Sequence, residues 1–139
     1  MAIFVFTNAS VTMAPTTGGT AVDLSSYVTS VTLTYEKDAI ETTAMGATGH
    51  VYTGGLQNLS LAIELNNDQA AGKVLETLYT NVGTGTTQVI VSNTTTATEQ
   101  KFTCINMFLG ASTPVAGAVG ELSKQSITLT GGSVTKGTI

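Results

Sequence analysis

A chain of 139 residues is long enough to bury roughly two thirds of its unfolded surface, so one domain from Met1 to Ile139 with its own core is expected. Hydrophobic residues make up 42% of it, which excludes a disordered chain, while charged residues make up only 10% against about 25% in ordinary soluble domains. Nine acidic residues face five lysines and no arginine, a balance of −4 that argues against tight nucleic-acid binding through basic contacts.

Along the chain, IFVFTNASVTM (residues 3–13) reads as one or two short strands, followed by the turn-rich PTTGGTA. The N-terminus lacks a basic flank and a long apolar run, and no segment reaches the roughly 20 apolar residues of a bilayer span, so neither a signal peptide nor a membrane span is expected. The N-x-S/T matches at Asn8, Asn58 and Asn93 are accordingly chance occurrences in a Thr/Ser-rich chain. Between Tyr27 and Glu36, YVTSVTLTYE sets Tyr27, Val31, Leu33 and Tyr35 against Ser30, Thr32, Thr34 and Glu36, the period of a half-buried strand with Tyr35 in the core. LQNLSLAIEL (56–65) repeats the pattern with Leu59, Leu61, Ile63 and Leu65. Between these two strands lies EKDAIETTAMGATGHVYTGG, from Glu36 to Gly55, a long polar, glycine-studded stretch that reads as a loop. Asn67 and Asp68 offer N-cap oxygens, and Ala71, Val74, Leu75, Leu78 and Val82 have helical spacing before Gly83, predicting one amphipathic helix over about 68–81 packed on its own sheet.

The second half reads as a meander. TTQVIVSN, KFTCINMFLGA and ELSKQSITLTG are rich in β-branched and aromatic residues, and NTTTATE and STPVAGAVG separate them. Cys104, alone and inside an apolar run, is a small buried hydrophobe and excludes an intrachain disulfide or a multi-cysteine zinc site. The predicted class is mainly β, a sandwich or barrel of about seven strands with one short α-helix over an edge or open end.

Nothing in the chain carries catalytic spacing. His50 is the single histidine and no G-x-S-x-G elbow supplies a nucleophile for it. Glu36, Asp38 and Glu41 are not spaced as a calcium loop, the absence of Trp disfavours a glycosidase cleft, and GATGHVYTGG has no following lysine or strand-to-helix transition to cradle phosphate. No enzyme activity, cofactor or metal is expected. A surface this poor in charge is instead expected to be covered by copies of the chain or by partners. Tyr52, an amphipathic ring in the loop, and Met45, an adaptable apolar side chain with no core to join, suit an interface between molecules.

The succession DLSSYVTSVTLTYEKDAIETTAMGATGH, continuing into GGLQNLSLAIELNND and closing with VGELSKQSITLTGGSVTKGT, resembles small virion proteins of tailed bacteriophages, most of all the tail tube proteins of siphophages. The likeness lies in the order of parts over nearly the whole chain. It implies a structural subunit of the virion tail, made in the host cytoplasm, that forms hexameric rings stacked into a tube. Its partners would be itself and other virion proteins, with DNA only as passing cargo and no membrane. It also implies that the stretch from Glu36 to Gly55 docks on the adjacent ring, with Thr43, Ala44, Met45, Gly46, His50 and Tyr52 as the contact residues. The chain is short for that family, which keeps a capsid decoration or head-tail connector protein as the alternative.

Overall fold

The computed structural model describes residues 9–70, 73–93, 95 and 99–139. These form eight strands and one helix: β1 (Ser10–Ala14), β2 (Val22–Asp23), β3 (Val28–Glu41), β4 (Tyr52–Asn66), α1 (Val74–Asn81), β5 (Thr87–Ser92), β6 (Gln100–Leu109), β7 (Lys124–Thr130) and β8 (Ser133–Thr138). The fold is mainly β with one short helix, as the alternating pattern predicts. Strand ladders are antiparallel, and neighbours run β2-β1-β5-β6-β7-β4-β3, with β8 beside β6.

Alternation decides which face each strand buries. Leu59, Leu61, Ile63 and Leu65 of β4 and Ile127 and Leu129 of β7 are all buried, as are Val11 and Met13 of β1 and Val89 and Val91 of β5. They meet in one cluster with Leu24, Cys104, Met107 and Leu109, joined by Val74 and Leu78 of α1.

Both halves of the sheet reach that cluster because β6 bends. Val89 pairs with Cys104 but Thr87 pairs with Met107, so β6 carries one extra residue at this point. Asn106 takes it up with a φ of 55°, in the left-handed region that Asn tolerates better than most residues. The bulge lets Cys104 and Met107, which a regular strand would point to opposite faces, both enter the core. On the other edge of β6, one register runs through β7 and β8, from Leu129↔Leu109 and Thr130↔Phe108 to Ser133↔Ile105 and Val134↔Cys104. Gly131 and Gly132, with φ of 80° and 78°, bend this second strand beside the first. A Cβ on Gly132 would lie 2.1 Å from the Ile105 carbonyl oxygen, so only glycine fits there.

Four expectations are corrected. The helix begins at Val74 and not near Asp68: Asp68 Oδ1 accepts from the Ala70 amide in a turn, and Lys73 holds the N-cap position without a side-chain cap bond. Its buried face is Val74, Thr77, Leu78 and Asn81, whereas Val82 is exposed and Leu75 partly so. GGSVTKGT contains the strand β8, which its glycines and lysine disguise. The two long strands run on into the presumed loop, to Glu41 and from Tyr52. Residues 3–8 of the expected N-terminal strands, Ala71 of the helical stripe and part of NTTTATE lie outside the described residues.

Short polar motifs fasten the base of β3 and β4. Asp23 Oδ1 accepts from the Ser25 amide, and Ser25 Oγ accepts from the Val11 amide at 2.9 Å, tying DLSSY to β1. Hydrogen bonds from Ser25 lower the Asp23 carboxyl below its ordinary value. Asn67 Oδ1 accepts from buried Gln125 Nε2 at 2.6 Å, and Gln125 Oε1 accepts from Ser112 Oγ and the Thr113 amide, holding the 110–123 loop against the end of β4.

The glycine pair separates two effects. Gly131→Ala, with open space at its Cβ, is expected to cost only the left-handed penalty of about 1–2 kcal/mol. Gly132→Ala must also displace backbone and should lower the midpoint of urea unfolding further; equal losses would refute the close crossing. Burial pushes the Cys104 thiol up to about 11, so the fold favours its neutral form. That contribution is complete below the ordinary value of 9.0 and is lost as the pH rises through about 11. A thiol reagent at pH 8 should therefore label the protein only after unfolding, and rapid native labelling would show the cysteine to be accessible.

Candidate functional site

β4 is flanked by β3 and β7 from Ser60 to Asn66, but before Ser60 only β3 pairs with it. The remainder, Glu36–Glu41 against Tyr52–Asn58, is a two-stranded ribbon, and every residue from Thr34 to Gly54 is exposed. Six residues beyond Tyr35 at about 3.3 Å each give an arm of roughly 20 Å before its terminal loop. Lys37 pairs with Gln57 and Ala39 with Gly54, so β4 carries a bulge at Gly55 and Leu56 that twists the ribbon. Gly55 fits closely there: a Cβ would sit 3.0 Å from Ile40 Cδ1 and 3.2 Å from Asp38 Cβ, so a larger residue would have to push these neighbours aside.

The terminal loop is ordered by its own hydrogen bonds. The Thr42 amide donates to the Val51 carbonyl at 2.8 Å, and the Val51 amide donates to Thr43 Oγ1 at 2.8 Å. Ala44 to Ala47 form a turn closed by the Ala47 amide on the Ala44 carbonyl, with Gly46 at its third position and a φ of 92°. Met45 stands at the corner, fully exposed. His50 Nδ1 lies 2.5 Å from Glu41 Oε1, and the His50 ring is 6.4 Å from that of Tyr52.

The six residues singled out from the sequence therefore share one end of the arm, in three roles. Thr43 closes the loop, Ala44 to Gly46 make the turn, and His50 and Tyr52 flank Glu41 at the end of the ladder. His50 and Glu41 are largely exposed, an arrangement that holds a loop in shape and offers no enclosed site for proton transfer. Among the described residues no group of three or more His, Cys, Asp or Glu side chains is placed to hold a metal ion.

Other exposed apolar residues escaped the sequence reading. Ile40, Val51 and Leu56 lie on the arm, and Leu56 is 82% exposed. Tyr35, expected in the core, is 50% exposed because the ribbon leaves the sheet at that residue. A second patch, Val115, Val119 and Leu122, sits on the loop before β7. The signal for the arm was present in KDAIE and HVYTGG, whose β-branched residues and tyrosine favour strand over loop.

No family model and no curated protein matches the sequence. The fold, in contrast, recurs in phage-like particles. A chain of the sheath-tube complex of an extracellular contractile injection system in its extended state is 16% identical, with a TM-score of 0.66 over 99% of this chain and 92% of that one. A chain of the sheath/tube terminator of such a system is 14% identical, with a TM-score of 0.69 over 99% and 98%. A chain of the virion of a native gene transfer agent is 9% identical, with a TM-score of 0.60 over 91% and 95%. At these identities it is the fold that is shared, and it extends over nearly the whole of each chain.

A ribbon without third-strand support has few buried contacts to hold it, so its amides should open more readily than those of the sheet. In hydrogen exchange on the monomer, Ala39, Ile40 and Thr53 are expected to exchange at least about tenfold faster than Leu61, Ile63 and Leu129. Equal protection would mean that the arm is bound to something already.

Proposed function

We propose that this chain is a non-enzymatic structural subunit of a bacteriophage-type tail, forming hexameric rings that stack into a tube through which DNA passes. The observation that carries the reading is the whole-chain fold likeness to components of sheath-tube and terminator assemblies, in a chain that also extends an exposed arm. Its partners are further copies of itself and neighbouring virion proteins, and its location is the virion tail.

Physical chemistry supports this reading. With 10% charged residues, the surface has little electrostatic protection against self-association. The exposed apolar side chains on the arm and on the loop before β7 gain most from being covered. An acidic balance and the absence of arginine also weaken adhesion to passing DNA. A terminal ring on such a tube is the second reading, favoured by the likeness to a terminator chain.

Negative-stain electron microscopy across a concentration series should show hollow tubes or stacked six-fold rings. A single closed ring at all concentrations would support the terminal position, and monomers throughout would overturn both. Deleting Thr43 to Gly49 is expected to leave a folded monomer, with an unchanged circular dichroism spectrum, that cannot assemble. Normal tubes from that deletion would remove the arm from assembly.

A further inference from the structure

Where β3 faces β5, β6 and β8 across the fold, the two halves of the sheet part and leave a cleft of about 550 Å³. Leu33 and Tyr35 form one wall, and Val91, Phe102 and Val134 form the other. Lys136, opposite Phe102 in the register, shares this lining and makes no ion pair with any described residue. An apolar cleft bordered by an unpaired cation is suited to an apolar group that carries a carboxylate beside it.

The end of the arm has that composition. Met45 and Tyr52 are exposed there, and Glu41 pairs with Tyr52 in the ladder. From Glu36 to Gly55, three carboxylates oppose one lysine, Lys37. The arm end lies away from the cleft of its own chain, because Tyr35 lines the cleft at the arm's root and the ladder continues past the bulge at Gly55 and Leu56 to Glu41↔Tyr52 at its far end. An arm end seated at the arm root of another copy is a head-to-tail contact, which repeats along an axis wherever its rotation does not close a ring.

We propose that this cleft is the socket that receives the arm of a second copy, with Met45 and Tyr52 entering between Tyr35 and Phe102 and Glu41 meeting Lys136. The proposal rests on the reading of the chain as a tube subunit and adds to it the receiving surface. It also gives the unpaired lysine a use: in the monomer Lys136 keeps the cleft from closing on unrelated apolar chain, and in the assembly it selects an acidic arm.

The test uses the full chain. A Met45→Cys/Val134→Cys double variant, oxidised mildly after assembly, should give a ladder of dimers, trimers and longer species on a non-reducing gel. Either single variant should give no species beyond a dimer, since Cys104 is buried. Separately, Lys136→Glu should raise the concentration needed for assembly about tenfold or more by placing like charges together, and adding Glu41→Lys should restore it. If the unaltered protein forms tubes but the double variant gives no ladder and Lys136→Glu assembles normally, the socket is overturned while the tube reading stands. A disulfide formed only within one chain likewise overturns the socket. Failure of the unaltered protein to assemble at any concentration overturns the tube reading, and the socket with it.

Discussion

The structure depends on two strands bending together. β6 takes an extra residue at Asn106, and the strand beside it takes two left-handed glycines, Gly131 and Gly132, in a register that continues on both sides of the bend. Either bend alone would break the ladder. Made side by side, they carry one antiparallel register from one half of the sheet into the other, with pairing interrupted only at Gly131 and Gly132, as strands do when they turn the corner between packed sheets. From that crossing follow the common core around Met107 and Leu109, the seat for α1, and the cleft where the two halves diverge. The end of α1 belongs to the same construction: the Gly83 amide donates to the Leu109 carbonyl at 2.8 Å, so the helix ends against β6 and not on its own last turn.

A second set of constraints aims the arm. A two-stranded ribbon has no intrinsic direction beyond its twist, so its orientation is that of its root. At the root, Ser25 ties the start of β3 to β1, the Asn66 amide donates to the Tyr27 carbonyl, and Asn67 and Gln125 hold the end of β4 to the loop before β7. Tyr27 donates to Asp68, which raises the phenol, and the Asp68 carboxyl is lowered first by the Ala70 amide and then by Tyr27. The bonds of Ser25, of the Asn66 amide and of Asn67 with Gln125 each contribute on the order of 1 kcal/mol net, too little to explain the fold but enough together to hold a lever. This gives DLSSY and NND, two of the segments that carry the resemblance to tail proteins, a structural reason: they fix the frame from which the arm leaves.

Much of the fold was legible wherever burial is one-sided. Leu59, Leu61, Ile63 and Leu65 alternate with polar residues because one face of β4 meets the core and the other meets solvent, and the same logic exposed β3, β5, β6 and β7. Legibility failed where that asymmetry disappears. Along Lys37–Glu41 and Tyr52–Gly54 both faces are exposed, so no alternation marks the strands and glycine content suggests a loop. Before β8 the pair Gly131-Gly132 resembles an end of structure, although its left-handed backbone serves a bend after which the same register resumes. The helix was overdrawn at its start, because Asn67 and Asp68 offer cap oxygens, yet Asp68 Oδ1 accepts from the Ala70 amide in a turn and the helix begins only at Val74. For the site, sequence located the end of the arm but not its root. Tyr35 sits in register with the core residues of β3, and only the departure of β7 from the neighbouring strand leaves it half exposed.

In the tube proposed above, an arm of this kind would reconcile a free subunit with a long polymer. Its backbone is already paired, so docking need not order the whole 20-residue segment from Glu36 to Gly55, which would cost about 1–2 kcal/mol per residue if it were a free loop. What is left to order is the side chains at its end and the ten residues from Thr42 to Val51, where the turn at Gly46 and the His50–Glu41 contact have already removed part of the freedom. The remaining cost opposes isolated pairwise contacts, whereas a subunit held at the same time by lateral neighbours meets it once for several interfaces. In the proposed assembly, growth on an existing ring would then be favoured over association in free solution, because effective concentration at the ring multiplies contacts that are individually weak. In the proposed tube, stiffness along the arm would set how far apart successive layers stand, and the small loop at its end how firmly they hold.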